Sequence, residues 1–341
     1  MRVLKALYFL IGVALLVVVL LHIDGAEVVA LVGDVGWGLA VVLGLYFVAF
    51  SIDSLTWHLT LTSIPLNAKG VYRTWKVRLV GESFNAVMPA AGMGGEPIKA
   101  ALLKTHYGVG YGEATASIIL ARTINLIALV LFLVIGFAFM LGSPALPVSY
   151  KAMAGAGLAV LGFGTLVVFA VQRLQIASLA GSRLSQWRFA NRVERVLHHI
   201  FEMDARLVRF YTDHRQRFAW AALWAFLNWV LGAVEIYYVL YFLGHPVSFV
   251  DAWIIEAVAQ LVRTATFFIP ASIGAQEGGF LLVCAAMTGA PSLGVAVAVV
   301  RRIREVVWIV WGMGLGLVFT LKPGAGPVTA GECDLGSDPG H

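Results

Sequence analysis

Charge is scarce in this 341-residue chain: only 13% of its residues are Asp, Glu, Lys or Arg. Soluble domains carry roughly 25%, so this chain cannot cover a globular surface in water. Cysteine is scarcer still, with Cys284 in an apolar segment and Cys333 in the tail. Two such residues supply neither a disulfide framework nor a cysteine-based metal centre. Also missing are a nucleophile elbow, a Walker phosphate loop and a His-Glu metalloprotease helix, so no motif supports hydrolysis or ATP coupling. No enzymatic activity, cofactor or metal is expected. The net charge of +5 sits mostly in connections between apolar runs, which suits anionic lipid surfaces and not nucleic acid.

Apolar length is abundant, at 60% of all residues, with 10 Trp and 20 Phe. Six runs, Leu4–Leu21, Trp37–Leu61, Gly112–Leu141, Met153–Val171, Ala219–Leu243 and Leu293–Leu321, each approach the ~20 residues that cross a bilayer. The first lacks a small-residue cleavage signature and reads as a retained helix. Lys and Arg then set the orientation, because cytoplasmic loops are enriched in them. Arg2 and Lys5 precede the first span, whereas Ile23–Gly36 carries Asp24, Glu27 and Asp34 without a cation. Asn67–Arg78, with Lys69, Arg73, Lys76 and Arg78, and Arg173–Arg217, with nine arginines against four acids, are expected in the cytoplasm. Gly142–Tyr150 and Gly244–Ser248 face outward, Lys151 being the one exception nearby. The expected location is the bacterial cytoplasmic (inner) membrane, with both termini inside.

Two short segments repeat each other at an offset of 181. Pro89-Ala90-Ala91-Gly92-Met93-Gly94-Gly95-Glu96 and Pro270-Ala271-Ser272-Ile273-Gly274-Ala275-Gln276-Glu277 share a Pro-Ala start and a Glu seven residues later. Each precedes a long apolar helix containing arginine. Gly/Pro-interrupted segments at corresponding places of two halves point to a binding site in membrane transporters. The orientation requires the stretches around them to begin and end on one side, which makes re-entrant hairpins of about 79–103 and about 252–287. Non-helical backbone at membrane depth needs protein or a water-filled cavity around it, so the two tips are expected to meet inside. The fold expected is therefore an all-α polytopic membrane protein of six transmembrane helices plus two re-entrant helical hairpins, arranged as an inverted repeat. Residues 1–141 form the first repeat, and 142–322 the second, with a cytoplasmic amphipathic segment at 174–217. Residues 323–341 form a Gly/Pro/Asp-rich tail expected to be disordered. A competing topology makes Leu79–Leu103 a plain crossing, at the expense of placing Lys99, Lys104 and His106 outside.

Ionisable groups inside apolar segments are functional candidates by default. Here they are Glu82, Asn85, Glu96 and Arg122 in the first half, and Arg263, Gln276, Glu277, Arg301, Arg302, Arg304 and Glu305 in the second. Arg122 lies about ten residues into its helix, roughly 15 Å deep at ~1.5 Å per residue. It needs an acid such as Glu96 or Glu277 beside it. Planar guanidiniums suit bidentate phosphate or carboxylate, so these arginines either hold a lipid head group or fix the hairpins in buried salt bridges. Arg301, Arg302 and Arg304 are shallower, and an interior role is expected for one or two, the rest snorkelling to the interface. Pro89, Gly94, Gly95, Pro270 and Gly274 are hairpin-turn residues, Pro ending helices and Gly permitting positive φ. Val196, Ile200, Met203, Leu207 and Phe210 make an apolar stripe opposite Arg192, Arg195, Arg206 and Arg209. That basic helix, within 188–217, is expected on anionic lipid head groups or beneath the bundle. Glu194, His198 and Glu202 share a helix face but read as solvated.

Gly81-Glu82-Ser83-Phe84-Asn85, Met88-Pro89, Gly94-Gly95-Glu96, Ile269-Pro270, Gln276-Glu277-Gly278 and Arg301-Arg302-Ile303-Arg304-Glu305 carry a resemblance. The chain resembles the flippase-like membrane domain of lysylphosphatidylglycerol synthases, nearest to the hopanoid-biosynthesis-associated HpnL branch, over about residues 1 to 322. The resemblance implies movement of lipid between leaflets, of aminoacylated phospholipid in the synthases and of hopanoid in the HpnL branch. No soluble catalytic domain accompanies it here, so lipid charging is not implied.

The expected function is a lipid transporter or flippase whose cargo head passes Glu96, Arg122, Glu277 and Arg302 or Arg304. Three alternatives stay open: an integral membrane lipid-modifying enzyme, for which Glu96 and Glu277 are the only acid/base pair; a scaffold for lipid-biosynthesis enzymes; and a transporter of a small soluble solute.

Overall fold

The computed structural model describes residues 30, 33–87, 94–173, 206–267, 269, 272 and 274–321. Helices account for almost all of them, and no strand occurs among the described residues. In chain order the helices are α1 (Gly38–Thr60), α2 (Ala68–Val87), α3 (Glu96–Tyr107), α4 (Tyr111–Gly142), α5 (Val148–Arg173), α6 (Arg215–Phe242), α7 (Phe249–Ala265), α8 (Ala275–Thr288) and α9 (Pro291–Leu321). Residues 206–213 are also helical.

Four helices, α1, α4, α5 and α6, are long and apolar enough to cross a membrane. They coincide with four of the six expected spans. The span at Leu4–Leu21 lies outside the described residues, as do the tail and most of the amphipathic segment. The last expected span falls on the 31-residue α9, which is not among those four, because Arg301, Arg302, Arg304 and Glu305 interrupt its apolar run.

The basic stretch Asn67–Arg78 is not a loop. Its residues from Ala68 onward are the first turns of α2, and the connection shrinks to Leu61–Asn67, which contains Pro65. Lys and Arg lose little side-chain freedom in a helix, and only Gly70 in that stretch favours a break. Gly70 stays helical because the chain folds back on it, its Cα lying where a Cβ would meet the Pro65 carbonyl. Local chemistry sets the other ends. Pro97 stands in the first turn of α3, and Gly108, with φ of +71°, terminates it. Ser248 and Asp251 cap α7 reciprocally.

Helix packing falls into matching pairs. α1 lies against α6 at the centre, and around it α1 packs on α2 as α6 packs on α7. In the same way α2–α3 matches α7–α8, α3–α4 matches α8–α9, and α1–α4 matches α6–α9. Across the two sets α2 packs on α9 and α7 packs on α4. Both cross-packings use a glycine to bring backbones close: a Cβ on Gly136 of α4 would lie 2.6 Å from that of Ala257 on α7, and one on Gly312 of α9 would lie 2.6 Å from the Leu79 carbonyl on α2.

Residues 206–213 put Leu207, Phe210 and Tyr211 into the core beside α4 and α6, leaving Arg206 and Arg209 exposed. That end of the amphipathic stripe packs against the bundle. Lys151, the cation on the connection expected outside, donates to the Leu141 and Ser143 carbonyls at 3.1 and 2.8 Å and so closes the C-terminal end of α4.

Candidate functional site

The first hairpin brings its charges to one place because α2 and α3 close tightly. A Cβ on Gly95 would overlap the Gly81 carbonyl, and one on Gly81 would overlap the Lys99 stem. Gly95 has φ of −86°, so glycine is needed there for close approach and not for a left-handed turn. The Asn85 side-chain oxygen accepts from Gly95 N at 2.6 Å and fixes the start of α3. Glu82 and Lys99 then meet at 2.6 Å, and Lys99 also reaches Glu96 at 3.2 Å. Asn85 donates to Glu82 at 3.1 Å and to Glu96 at 3.3 Å. From α4, Arg122 donates to Glu96, not to Glu277. The Arg122 side chain is 56% exposed and that of Glu96 only 13%.

A second tier ties α1 to this hairpin. Asp53 pairs with Arg78, which lies 3.7 Å from Glu82, and Asp53 also accepts from Asn125 of α4 at 3.1 Å.

The second hairpin repeats the outer arrangement. Gly274 adopts φ of +80°, a conformation that glycine takes without a Cβ clash, and its N–H donates to Glu277 at 2.8 Å. Glu277 in turn accepts from Arg302 at 2.9 Å, and Arg302 reaches Glu305 at 2.9 Å. Arg263, 46% exposed, stands 4.0 Å from the other oxygen of Glu305. Thus in each half a glutamate in the first turn of the second hairpin helix holds an arginine of the long helix that follows.

Arg301 and Arg304 are buried, 3% and 5% exposed, and do not snorkel. Arg301 meets Glu256 of α7 at 2.5 Å and Glu235 of α6 at 3.5 Å, Arg304 pairs with Glu235, and Gln260 donates to Glu256 at 2.7 Å. Arg304 also lies 3.9 Å from the ring centre of Tyr46 on α1.

Of the expected site residues, Glu82, Asn85, Glu96 and Arg122 converge in one set, and Arg263, Glu277 and Arg302 in another. Arg301 and Arg304 belong to a closed inner set. Gln276 is buried beside Glu277, its side-chain oxygen without a partner among the described residues. Gly94 lies half-buried in the turn before α3. Pro89 and Pro270 lie outside the described residues, as do Glu194, His198 and Glu202. Asp53, Arg78, Lys99, Glu235 and Glu256 complete the network without having been expected as site residues. The rule that found the others, an ionisable residue inside an apolar run, applies equally to Asp53, Glu235 and Glu256.

An aromatic wall borders the charges where α2 crosses α9. Trp75, Trp311 and Trp308 form a chain with centroid separations of 5.4 and 5.3 Å, and Tyr46 meets Trp308 edge-on at 4.9 Å. By contrast, a hollow between α4, α5 and α7, lined by Leu133, Phe137, Met140, Leu158, Ile254 and Leu261, is wholly apolar and touches none of the charged groups.

The profile of a family described as lysylphosphatidylglycerol synthase TM region matches residues 6–312. A UPF0104 membrane protein of Methanothermobacter thermautotrophicus is 23% identical over 295 residues, 80% of this chain and 82% of its own. A UPF0104 membrane protein of Pyrococcus horikoshii is 22% identical over 295 residues, 80% of this chain and 84% of its own. No solved structure matches.

Proposed function

The chain belongs to the family of lysylphosphatidylglycerol synthase transmembrane regions, which gives it a membrane lipid-related role, and on that premise we propose that it is a non-enzymatic flippase moving a polar-headed lipid between the leaflets of the inner membrane. The observation that carries the reading is the paired clamp, Glu96 on Arg122 and Glu277 on Arg302, at corresponding places of two halves. Each clamp joins a short hairpin helix to a long helix of the same half, and in this reading rocking of one half against the other would open and close a polar cleft between the halves.

An inverted repeat is part of the same proposal. The matching helix packings support it, as do the 12 and 14 residues of α3 and α8. At ~1.5 Å per residue these helices rise about 18 and 21 Å, short of the ~30 Å hydrocarbon core, as re-entrant segments must be. The Lys and Arg distribution supports cytoplasmic termini. The Gly81-Glu82-Ser83 string and the Arg302-Ile303-Arg304-Glu305 ending support the hopanoid-associated HpnL branch. A hopanoid with an uncharged head would engage the exposed guanidiniums only through hydroxyls, so the charges favour a head carrying charge.

The test is lipid movement in reconstituted vesicles, read by loss of a fluorescent lipid from the outer leaflet. Glu96→Gln and Glu277→Gln keep an oxygen acceptor but lose the charge, and each should slow movement at least tenfold while the protein elutes as a folded species. Wild-type rates in both variants would remove the cleft from the mechanism. Misfolding of both would make the clamps structural bridges.

A further inference from the structure

The ion pairs of the described residues balance in charge. Among the described residues three acids meet three cations in the first half, and four meet four in the second. Their deep members are closed on one another, with Arg301 and Glu256 only 3% and 2% exposed. Their accessible members carry both signs: Arg122 and Arg263 are exposed, and Glu82 and Glu305 are partly so.

The accessible carboxylates are shared. Glu82 lies between Lys99 at 2.6 Å and Arg78 at 3.7 Å, and Glu305 lies between Arg302 at 2.9 Å and Arg263 at 4.0 Å. Either acid can therefore exchange one cation for another and stay paired. If a cargo ammonium takes the place of Arg263 at Glu305, that guanidinium is released to take a phosphate bidentately, and no charge is left over. A head bearing only the phosphate frees nothing in exchange and leaves one surplus negative charge, which is unfavourable wherever the head is withdrawn from water.

Resting on the flippase reading above, we propose that the cargo head is a zwitterion, an ammonium and a phosphate on one lipid with no net charge, and that the balance of the network selects it. The head's ammonium seats on Glu305 and its phosphate on Arg263. Selection then follows net charge and not head-group shape, so moving the balance of the network by one charge moves the preference.

The experiment uses the full chain in phosphatidylcholine vesicles with tail-labelled phosphatidylethanolamine or phosphatidylglycerol as probe. Wild type should move the ethanolamine lipid at least tenfold faster. Glu305→Gln, which leaves a surplus cation, should bring the glycerol lipid level or ahead. Arg263→Gln, which leaves a surplus anion, should widen the original gap, and with its half-exposed side chain it serves as the second variant if Glu305→Gln misfolds. Equal or faster movement of phosphatidylglycerol by wild type, or a preference that ignores both substitutions, overturns the zwitterion proposal and leaves lipid movement standing. A folded protein that moves neither probe overturns the flippase reading and this proposal with it.

Discussion

Arg301 is the cation whose removal the structure penalises most. Its guanidinium is 3% exposed, 2.5 Å from Glu256 and 3.5 Å from Glu235. Glu235 retains Arg304 if Arg301 is lost, but Glu256 retains only the uncharged Gln260 amide. Arg301→Met keeps an apolar stem and deletes the guanidinium, whose carbon lies 5.1 Å from the Phe280 ring centre, so the loss reports chiefly the orphaned carboxylate. Removing one partner of a buried pair costs about 3–5 kcal/mol. Arg263→Gln breaks a 4.0 Å pair whose arginine is 46% exposed, and exposed pairs contribute less than about 1 kcal/mol.

Equilibrium unfolding in mixed micelles, titrated with dodecyl sulfate and followed by near-ultraviolet circular dichroism, measures both. The decisive addition is the double variant Arg301→Met with Glu256→Gln, which removes both charges and leaves Gln260 a partner. Replacing a buried pair by uncharged groups is often near neutral, so most of the single-variant loss should return, with a coupling of at least about 2 kcal/mol. If Arg301→Met is as mild as Arg263→Gln, or the double variant is no better than the single, then the buried set does not hold α6, α7 and α9 together.

Gly312→Ala should separate α2 from α9, because the new Cβ would stand 2.6 Å from the Leu79 carbonyl and closer still to Ser83; a loss of about 1–3 kcal/mol is expected in the same titration, against little change for Gly314→Ala, whose Cβ meets nothing within 4 Å. Gly95→Ala should lose at least about 2 kcal/mol, since its Cβ would overlap the Gly81 carbonyl and pry the first hairpin open, and the lipid-movement rate should fall with it. Gly274→Ala should cost about 1–2 kcal/mol from its φ of +80° alone, read as a lowered unfolding midpoint.

Four of the six expected spans were legible because an uninterrupted apolar run of that length suits a bilayer and little else. The start of α2 was not, because Lys69, Arg73 and Lys76 signal cytoplasmic placement and favour helix at once, and an orientation rule reads only the first property. The Pro-Ala…Glu repeat was legible because both halves kept the same letters, and it led to Glu96 and Glu277 with Arg122 and Arg302 nearby. Partner choice was beyond the sequence. Glu96 and Glu277 are equivalent in any one-dimensional reading of Arg122, and only the path of α3 beside α4 assigns the first of them. The burial of Arg301 and Arg304 was hidden for a related reason: counting residues from a helix end gives depth, whereas burial depends on Glu235 and Glu256 arriving from α6 and α7.

The inner sets of the two halves join their helices through different residues. In the first half α1, α2 and α4 meet through Asp53, Arg78 and Asn125, with the cation on the first hairpin helix. In the second half the corresponding helices α6, α7 and α9 meet through Glu235, Glu256, Arg301 and Arg304, with the cations on the long closing helix. Electrostatics requires only that a cation and its acid share the junction, and it does not prescribe which helix supplies which. Different residues at different offsets can therefore join three helices equally well. The outer clamps had less freedom, because their glutamates must also serve the turn: Glu277 accepts from Gly274 N, and Glu96 is held through Asn85, which binds Gly95 N. A residue with two duties in one turn stays at a fixed distance from that turn. Glu96 and Glu277, each seven residues after the start of a Pro-Ala pair, therefore stand out in the sequence, while Glu235 and Glu256 do not.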